Sequence, residues 1–139
     1  MIILDTNVLS EFMRPRPHEA VMRWIEDFFP RDLYTTAITV AEIQRGICLL
    51  PDGHRRRLLA DAARDVFELY MQDRILPFDS HAAEAFAEIA ARQRNRAQSL
   101  KAFDAQIAGI ARSNAAKLAT RNVRDFQDCG VRVLNPWDT

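Results

Sequence analysis

Short apolar runs alternate with longer stretches of helical periodicity along the 139 residues of this chain. A run of three or four apolar residues between polar ones is typical of a buried strand, whereas apolar residues spaced three and four apart indicate one face of a helix. The pattern predicts five strands, at residues 2–5, 33–36, 74–78, 117–120 and 131–134. It predicts longer helices at residues 19–29, 39–50, 55–72, 80–96 and 102–114.

This alternation of strand and helix indicates the fold class. Strands separated by helices pair in parallel, and the helices then cover both faces of the sheet. We therefore expect an α/β fold, a three-layer sandwich with a short central parallel sheet of about five strands. The length of the chain favours one domain over residues 1–139, because it leaves no room for a second core.

Acids and amides stand where the apolar segments end. Asp5 closes the first predicted strand, Asn122 follows the fourth, and Glu42 and Asp104 lie near the starts of two predicted helices. In a parallel sheet, strand ends and helix starts gather at one edge, where ligands bind. Carboxylates crowded there repel one another unless a divalent cation neutralises them. Because Mg2+ and Mn2+ sites pair a few carboxylates with substrate phosphate oxygens, the pattern predicts phosphate chemistry.

The acids also have ordinary structural interpretations. Asp5 can cap the helix that follows it, and Thr39 with Glu42 matches a capping box in which the glutamate returns to the threonine backbone. Gly46 lies one turn after Glu42, and a glycine inside a helix costs about 1 kcal/mol relative to alanine. That cost indicates the close approach of another group beside Glu42.

Asp104 is the acid that capping explains least well. Apolar residues follow it at helical spacing, beginning with Ile107, and place its carboxylate on the apolar face of the helix. An unpaired charge is costly to bury there, so either a metal ion or a basic partner such as Lys101 must compensate it. Asn122, with Asp125 three residues later, is by itself typical of a turn.

The balance of charge limits the ways in which the chain can contact nucleic acid. Nineteen basic and nineteen acidic residues give a formal net charge of zero, which argues against a broad, sequence-independent grip on DNA. Basic residues cluster at positions 54–57 and in a second group, Arg92, Arg94, Arg96 and Lys101. Solvated helix faces commonly carry such charges, but the second group precedes Asp104 and is the better candidate for guiding RNA.

The cysteines and the hydropathy pattern indicate a compartment. Cys48 and Cys129 match no metal-ligand or redox spacing, which favours a reduced cytoplasmic protein over a disulfide scaffold. The chain opens on Met1 and three further apolar residues before Asp5, unlike a secretory signal, and no stretch approaches membrane-spanning length. We expect a cytoplasmic protein without a membrane contact.

Five short motifs carry most of these polar residues. They are Ile3-Leu4-Asp5-Thr6-Asn7, Thr36-Ala37-Ile38-Thr39-Val40-Ala41-Glu42 before Gly46, Asp104 with Ile107-Ala108, Ala119-Thr120-Arg121-Asn122 with Asp125-Phe126, and Asn135-Pro136-Trp137. In their order and spacing the chain resembles the PIN-domain nucleases over essentially its whole length, particularly the VapC toxins and their FitB-like subgroup. The resemblance implies a PIN-like form of the three-layer fold.

The resemblance also implies a function, that of the toxin in a type II toxin-antitoxin system. Such a toxin is a Mg2+- or Mn2+-dependent ribonuclease that hydrolyses RNA with a metal-activated water. By motif, the catalytic acids are Asp5, Glu42 and Asp104, and Asn122 joins them as a metal ligand. The supporting residues are Thr6, Asn7, Thr120 and Asp125. The implied partners are the RNA substrate, a second copy in a homodimer and a small DNA-binding antitoxin.

One departure from the family pattern leaves alternatives open. Many relatives carry an aspartate where this chain has Asn122, and an amide oxygen coordinates a metal without adding charge. One metal ion is therefore expected, and a second would need ligands from Asp125 or the substrate phosphate. A PIN-like module that binds RNA without cutting it is one alternative. A phosphoaspartyl phosphotransferase or receiver domain is another, although Asn7 stands where a haloacid-dehalogenase-like enzyme carries a second aspartate.

Overall fold

The sheet follows the predicted strands closely. The computed structural model describes residues 1–94 and 100–139 of the chain. Its strands are β1 (Ile2–Leu4), β2 (Leu33–Thr36), β3 (Ile75–Leu76), β4 (Lys117–Ala119) and β5 (Val133–Leu134). All neighbouring strands are parallel, in the order β3-β2-β1-β4-β5. The expected parallel sheet of five strands is confirmed; β2 has its predicted bounds, and β1, β3, β4 and β5 are shorter than predicted.

The helices lie near their predicted positions. They are α1 (Thr6–Leu9), α2 (Glu19–Phe28), α3 (Ala37–Cys48), α4 (His54–Asp65), α5 (Ser80–Gln93) and α6 (Ala102–Ser113). A π-helical turn, Val66–Tyr70, continues α4, and short 3-10 turns cover Ser10–Met13, Val123–Phe126 and Pro136–Asp138. The predicted helix over residues 80–96 extends past α5 to positions 95 and 96, which lie outside the described residues.

Helix α3 begins differently from the prediction. Its N-cap is Thr36, whose hydroxyl oxygen accepts a hydrogen bond from the Thr39 backbone N–H at 3.0 Å. The predicted capping box of Thr39 and Glu42 is therefore wrong, because the helix starts at Ala37 and Glu42 lies in its second turn. The glutamate side chain is thereby free of the helix terminus.

Two hydrophobic cores lie on opposite faces of the sheet. In β1, Ile2 and Leu4 belong to one core, which also contains buried residues of α2, α3 and α4. Ile3 belongs to the other core, with buried residues of α5 and α6. This alternation is the consequence of the two-residue period of a strand, and it confirms the three layers. None of the described helices combines the length and the apolar character that a membrane crossing requires.

Close packing between α5 and α6 fixes the helix that carries Asp104. A Cβ added at Gly109 would meet the Ala82 carbonyl oxygen at 2.8 Å and the Phe86 Cβ at 3.0 Å. Glycine is required there, since a backbone carbonyl cannot move aside as the end of a flexible side chain can. The contact holds α6, which carries Asp104 in its first turn, closely against α5.

Candidate active site

Three carboxylates converge at the carboxyl edge of the sheet. Asp5 follows β1, Glu42 projects from the second turn of α3, and Asp104 stands in the first turn of α6. One carboxylate oxygen from each lies within 4.8 Å of the other two. We call these three residues the acid cluster. The structure thus brings together residues that are 37 and more positions apart in the sequence.

Asp5 is the most firmly held member of the acid cluster. Its Oδ1 accepts a hydrogen bond from the Thr6 backbone N–H at 2.8 Å, and its Oδ2 accepts one from the Thr120 hydroxyl at 2.7 Å. The Asn7 amide also donates to Oδ2, at 3.3 Å. Asp5 is 3% exposed. It caps α1, as its structural interpretation predicted, and it faces the other acids at the same time.

Threonines hold Glu42 in place. The Thr6 hydroxyl donates to Glu42 Oε1 at 2.9 Å and lies 3.3 Å from the Thr39 hydroxyl. Thr39 is fully buried and is in turn 3.3 Å from the hydroxyl of Thr36. Thr39 is a site neighbour that the sequence reasoning missed, because it was assigned to a helix cap. The signal that could have found it is the pair Thr36 and Thr39, spaced one helical turn apart before Glu42.

The acids disfavour each other's charged forms. Burial and the charge of Asp5, with a further contribution from Asp125, raise the pKa of Asp104 to about 6. Burial and the charge of Asp104 raise the pKa of Glu42, although Thr6 and the positive charge of Lys101 oppose the shift. Burial and the charge of Glu42 likewise raise the pKa of Asp5, despite its hydrogen bonds. A cation among these groups would relieve the repulsion.

The polar residues after β4 reach the acid cluster through Thr120. The Thr120 hydroxyl, which donates to Asp5, accepts a hydrogen bond from the Asn122 backbone N–H at 3.1 Å. The Asn122 side chain is exposed and caps nothing. Asp125 is also exposed, and it acts on Asp104 by charge without belonging to the group of three. Of the residues predicted to support the site, Thr6, Asn7 and Thr120 contact it directly.

A protein-family model matches most of the chain. A model described as the PIN domain matches residues 2–130 of the 139. The chain belongs to the PIN-domain family.

Individual PIN-domain relatives are similar over nearly the full chain. Toxin FitB of Neisseria gonorrhoeae is 37% identical over 137 residues, which cover 99% of each chain. VapC ribonuclease Y4jK of Sinorhizobium fredii is 34% identical over 138 residues, again 99% of each. In the solved structure of FitAB bound to an IR36 DNA fragment, a chain 37% identical to this one superposes with a TM-score of 0.87, over 99% of this chain and 96% of that one.

The donor set of this PIN domain suits a hard divalent cation. All three members of the acid cluster offer carboxylate oxygens, the ligands that Mg2+ and Mn2+ prefer. Hydrogen bonds from Thr6, Asn7 and Thr120 orient two of the three carboxylates, as ligand-orienting groups do in known metal sites. Burial, together with the charge of a neighbouring acid, raises the pKa of each carboxylate, and a cation bound among them would offset this effect.

The sequence also led us to expect a close contact at Gly46 and an RNA-guiding role for the second basic group. A Cβ built at Gly46 would meet no atom within 4 Å, so the expected close approach at this glycine is not made by the described part of the chain. Gly46 instead lines an open groove with Thr6 and Glu42. In the second basic group, Arg96 lies outside the described residues, whereas Lys101 is the N-cap residue of α6 and lines a cavity with Asp104.

Glu11 is a buried acid that the sequence reasoning did not single out. It is 4% exposed, and it accepts hydrogen bonds from the His18 backbone N–H at 2.9 Å and from Arg14 at 3.0 Å. Burial would raise the pKa of Glu11, but these bonds and the charge of Arg14 outweigh it and lower the pKa. Glu11 therefore holds the turn before α2 to the rest of the chain and stays outside the acid cluster.

Proposed function

We propose that this PIN domain is the toxin of a type II toxin-antitoxin pair, and that it hydrolyses RNA phosphodiester bonds with Mg2+ or Mn2+. The observation that carries the proposal is the acid cluster, three carboxylates from separate elements within 4.8 Å of one another. The names of its relatives, a toxin and a ribonuclease, support the same function. We assign the whole of residues 1–139 to one PIN domain.

In this proposal the chain supplies ligands and positioning. Asp5, Glu42 and Asp104 would hold the cation, and Asn122, which lies nearby on the chain after β4, would add a neutral oxygen ligand. A divalent cation bound there supplies positive charge to the scissile phosphate and lowers the pKa of a water molecule that it binds. Thr120 and Thr6 keep the carboxylates of Asp5 and Glu42 in place for this role.

The alternatives drawn from the sequence fit less well. A phosphoaspartyl enzyme needs an accessible nucleophilic carboxylate, whereas Asp5 is 3% exposed and both of its oxygens accept hydrogen bonds. A module that only binds RNA would not need three crowded acids, which repel phosphate and raise one another's pKa values. The acid cluster therefore favours cleavage over binding alone.

The partners follow from the same assignment. We propose a homodimer that is inhibited by a small DNA-binding antitoxin, since the related chain is found in a FitAB assembly bound to DNA. We place the protein in the cytoplasm, where its RNA substrate lies.

The direct test is cleavage of cellular RNA by the purified chain. Cleavage should require added Mg2+ or Mn2+, stop with EDTA and return when excess Mn2+ is restored, because the acid cluster cannot hold the phosphate without a cation. Gel analysis of labelled RNA measures each step. Cleavage that persists in EDTA would refute the metal mechanism, and tight RNA binding without cleavage in any metal would favour the binding module.

Asn122→Asp should tighten the binding of Mn2+. The backbone of residue 122 is tied to Thr120, which also holds Asp5, so a carboxylate there adds charge beside the acid cluster. Isothermal calorimetry of the variant and the wild type measures the change. Asp61→Asn, at an exposed acid paired with Arg64, is the charge-change control. Equal affinity in the wild type and Asn122→Asp would place residue 122 outside the set of ligands.

A further inference from the structure

Phe103 is an exposed aromatic residue directly beside the acid cluster. Its residue surface is 38% exposed, and it precedes Asp104 in the first turn of α6. Among the described residues, the other exposed phenylalanine and tyrosine are Phe29 and Tyr70. Their rings contact each other, with centroids 6.1 Å apart, and they line a different cavity. Among these exposed aromatic residues, Phe103 is therefore the one that lies beside the acid cluster.

The surroundings of Phe103 combine three kinds of group. A cavity of about 250 Å³ is lined by Glu42, Lys101, Ala102, Phe103 and Asp104. It therefore places an apolar ring, a cation and two members of the acid cluster around one space. Lys101 is exposed, and its positive charge already acts on Glu42 and Asp104. A ligand that fits this space has a flat apolar part and a negative part.

The described part of the fold, residues 1–94 and 100–139, gives no packing reason for phenylalanine at this position. Burial in the core would justify an aromatic side chain, but Phe103 belongs to neither hydrophobic core among the described residues. Phenylalanine is also a poorer helix former than alanine. Aromatic residues are enriched in surfaces that bind partners, and Phe103 lines the cavity beside two of the acids.

We propose that Phe103 is a stacking platform for one base of single-stranded RNA, next to the phosphate held at the acid cluster, and that Lys101 contacts the RNA backbone. The inference rests on the proposed ribonuclease function and names how its substrate is bound. Proteins that bind single strands stack unpaired bases on aromatic side chains and follow the backbone with cations. Every base has a π face, so the platform selects unpaired RNA with little preference for sequence.

The expected kinetic effect is on substrate binding. Alanine substitution of a stacking aromatic costs about 1–3 kcal/mol per base, so Phe103→Ala should raise KM for a single-stranded RNA on the order of tenfold or more. The value of kcat should change far less, because the acid cluster is intact. Phe103→Trp should keep the wild-type KM, whereas Phe103→Leu, which keeps apolar bulk without a ring, should resemble Phe103→Ala. Tyr70→Ala removes an exposed ring elsewhere and should leave KM unchanged.

Stacking can be observed separately from cleavage. Stopped-flow mixing with RNA that contains 2-aminopurine should show quenching of its fluorescence by the wild type and by Phe103→Trp, and much weaker quenching by Phe103→Ala and Phe103→Leu. Calorimetry with Mn2+ should give equal affinity for all variants. Quenching without cleavage in the wild type would refute the nuclease and leave the platform standing. The proposal would be overturned if Phe103→Ala kept the wild-type KM and quenching. It would also be overturned if sedimentation showed that the variant loses RNA binding because its oligomeric state has changed.

Discussion

Asp104→Asn should lower the rate of RNA cleavage by about a thousandfold or more and leave the protein folded. Losing one carboxylate from the acid cluster removes charge that holds the cation, and such a cation contributes several kcal/mol to the transition state. The Asp104 carboxylate receives no hydrogen bond from the part of the chain that the structure describes, so an amide of the same shape leaves no donor unpaired. Single-turnover cleavage of labelled RNA measures the loss, and circular-dichroism melts report the fold.

Asp5→Asn should lose activity to a similar extent but at a cost in stability. Both Asp5 oxygens accept hydrogen bonds, from the Thr6 backbone N–H and the Thr120 hydroxyl, and an amide can replace only one acceptor. A buried donor without a partner costs about 1–3 kcal/mol. Asp61→Asn is the matched control and should retain wild-type cleavage and stability. Wild-type cleavage by Asp5→Asn and Asp104→Asn would show that the acid cluster is not the active site.

The sheet and the acid cluster could be predicted because local patterns determine them. The apolar runs of β1 and β4 are followed at once by Asp5 and by Thr120, and a parallel sheet brings such positions to one edge whatever the order of its strands. Helical spacing placed Asp104 on an inward face. The family resemblance then connected these residues to Glu42, which lies on another element.

The features that escaped prediction depend on contacts between distant elements. The capping-box interpretation of Glu42 failed because the N-cap of α3 is Thr36, three residues before Thr39. Only the tertiary contact with Thr6 shows where the glutamate points. Burial of Glu11 depends on the return of the chain to His18. The exposure of Phe103 cannot be predicted from the sequence of α6, since it depends on how α6 lies against α3 and α5.

Without metal, the protein should lose stability as the pH rises from 5 to 7, and a divalent cation should reverse the loss. The pKa of Asp104 is raised from 3.8 to about 6, so between pH 5 and 7 the folded chain binds more protons than the unfolded chain. Stability then falls as the pH rises through the interval. The raised pKa values of Asp5 and Glu42 act in the same direction. The lowered pKa of Glu11 has the opposite effect on stability. That effect changes only below pH 4.5, the ordinary pKa of a glutamate, and so it is constant between pH 5 and 7.

The magnitude follows from the Asp104 shift. Two pKa units correspond to about 3 kcal/mol, and partial exposure reduces the expected loss to about 1–2 kcal/mol. A cation binds the ionised acids of the folded chain only, and at a hundred times its Kd it adds about 2.7 kcal/mol. For a chain of this size we expect Mn2+ to raise Tm at pH 7 by roughly 5–10 °C. Scanning calorimetry between pH 5 and 7.5, with EDTA or with Mn2+, measures both effects.

The variant Asp104→Asn tests whether repulsion between Asp104 and its neighbouring carboxylates lowers the stability of the metal-free protein. An amide at position 104 removes the repulsion with Asp5 and Asp125, so the metal-free variant should melt higher than metal-free wild type at pH 7. The same variant should show a flatter dependence on pH and a smaller rise in Tm with Mn2+, because it has lost a ligand. Asp61→Asn should keep the wild-type response to both. If metal-free Asp104→Asn melts below metal-free wild type at pH 7, repulsion among the carboxylates does not lower the Tm of the wild type. The stabilisation by Mn2+ would then need another cause.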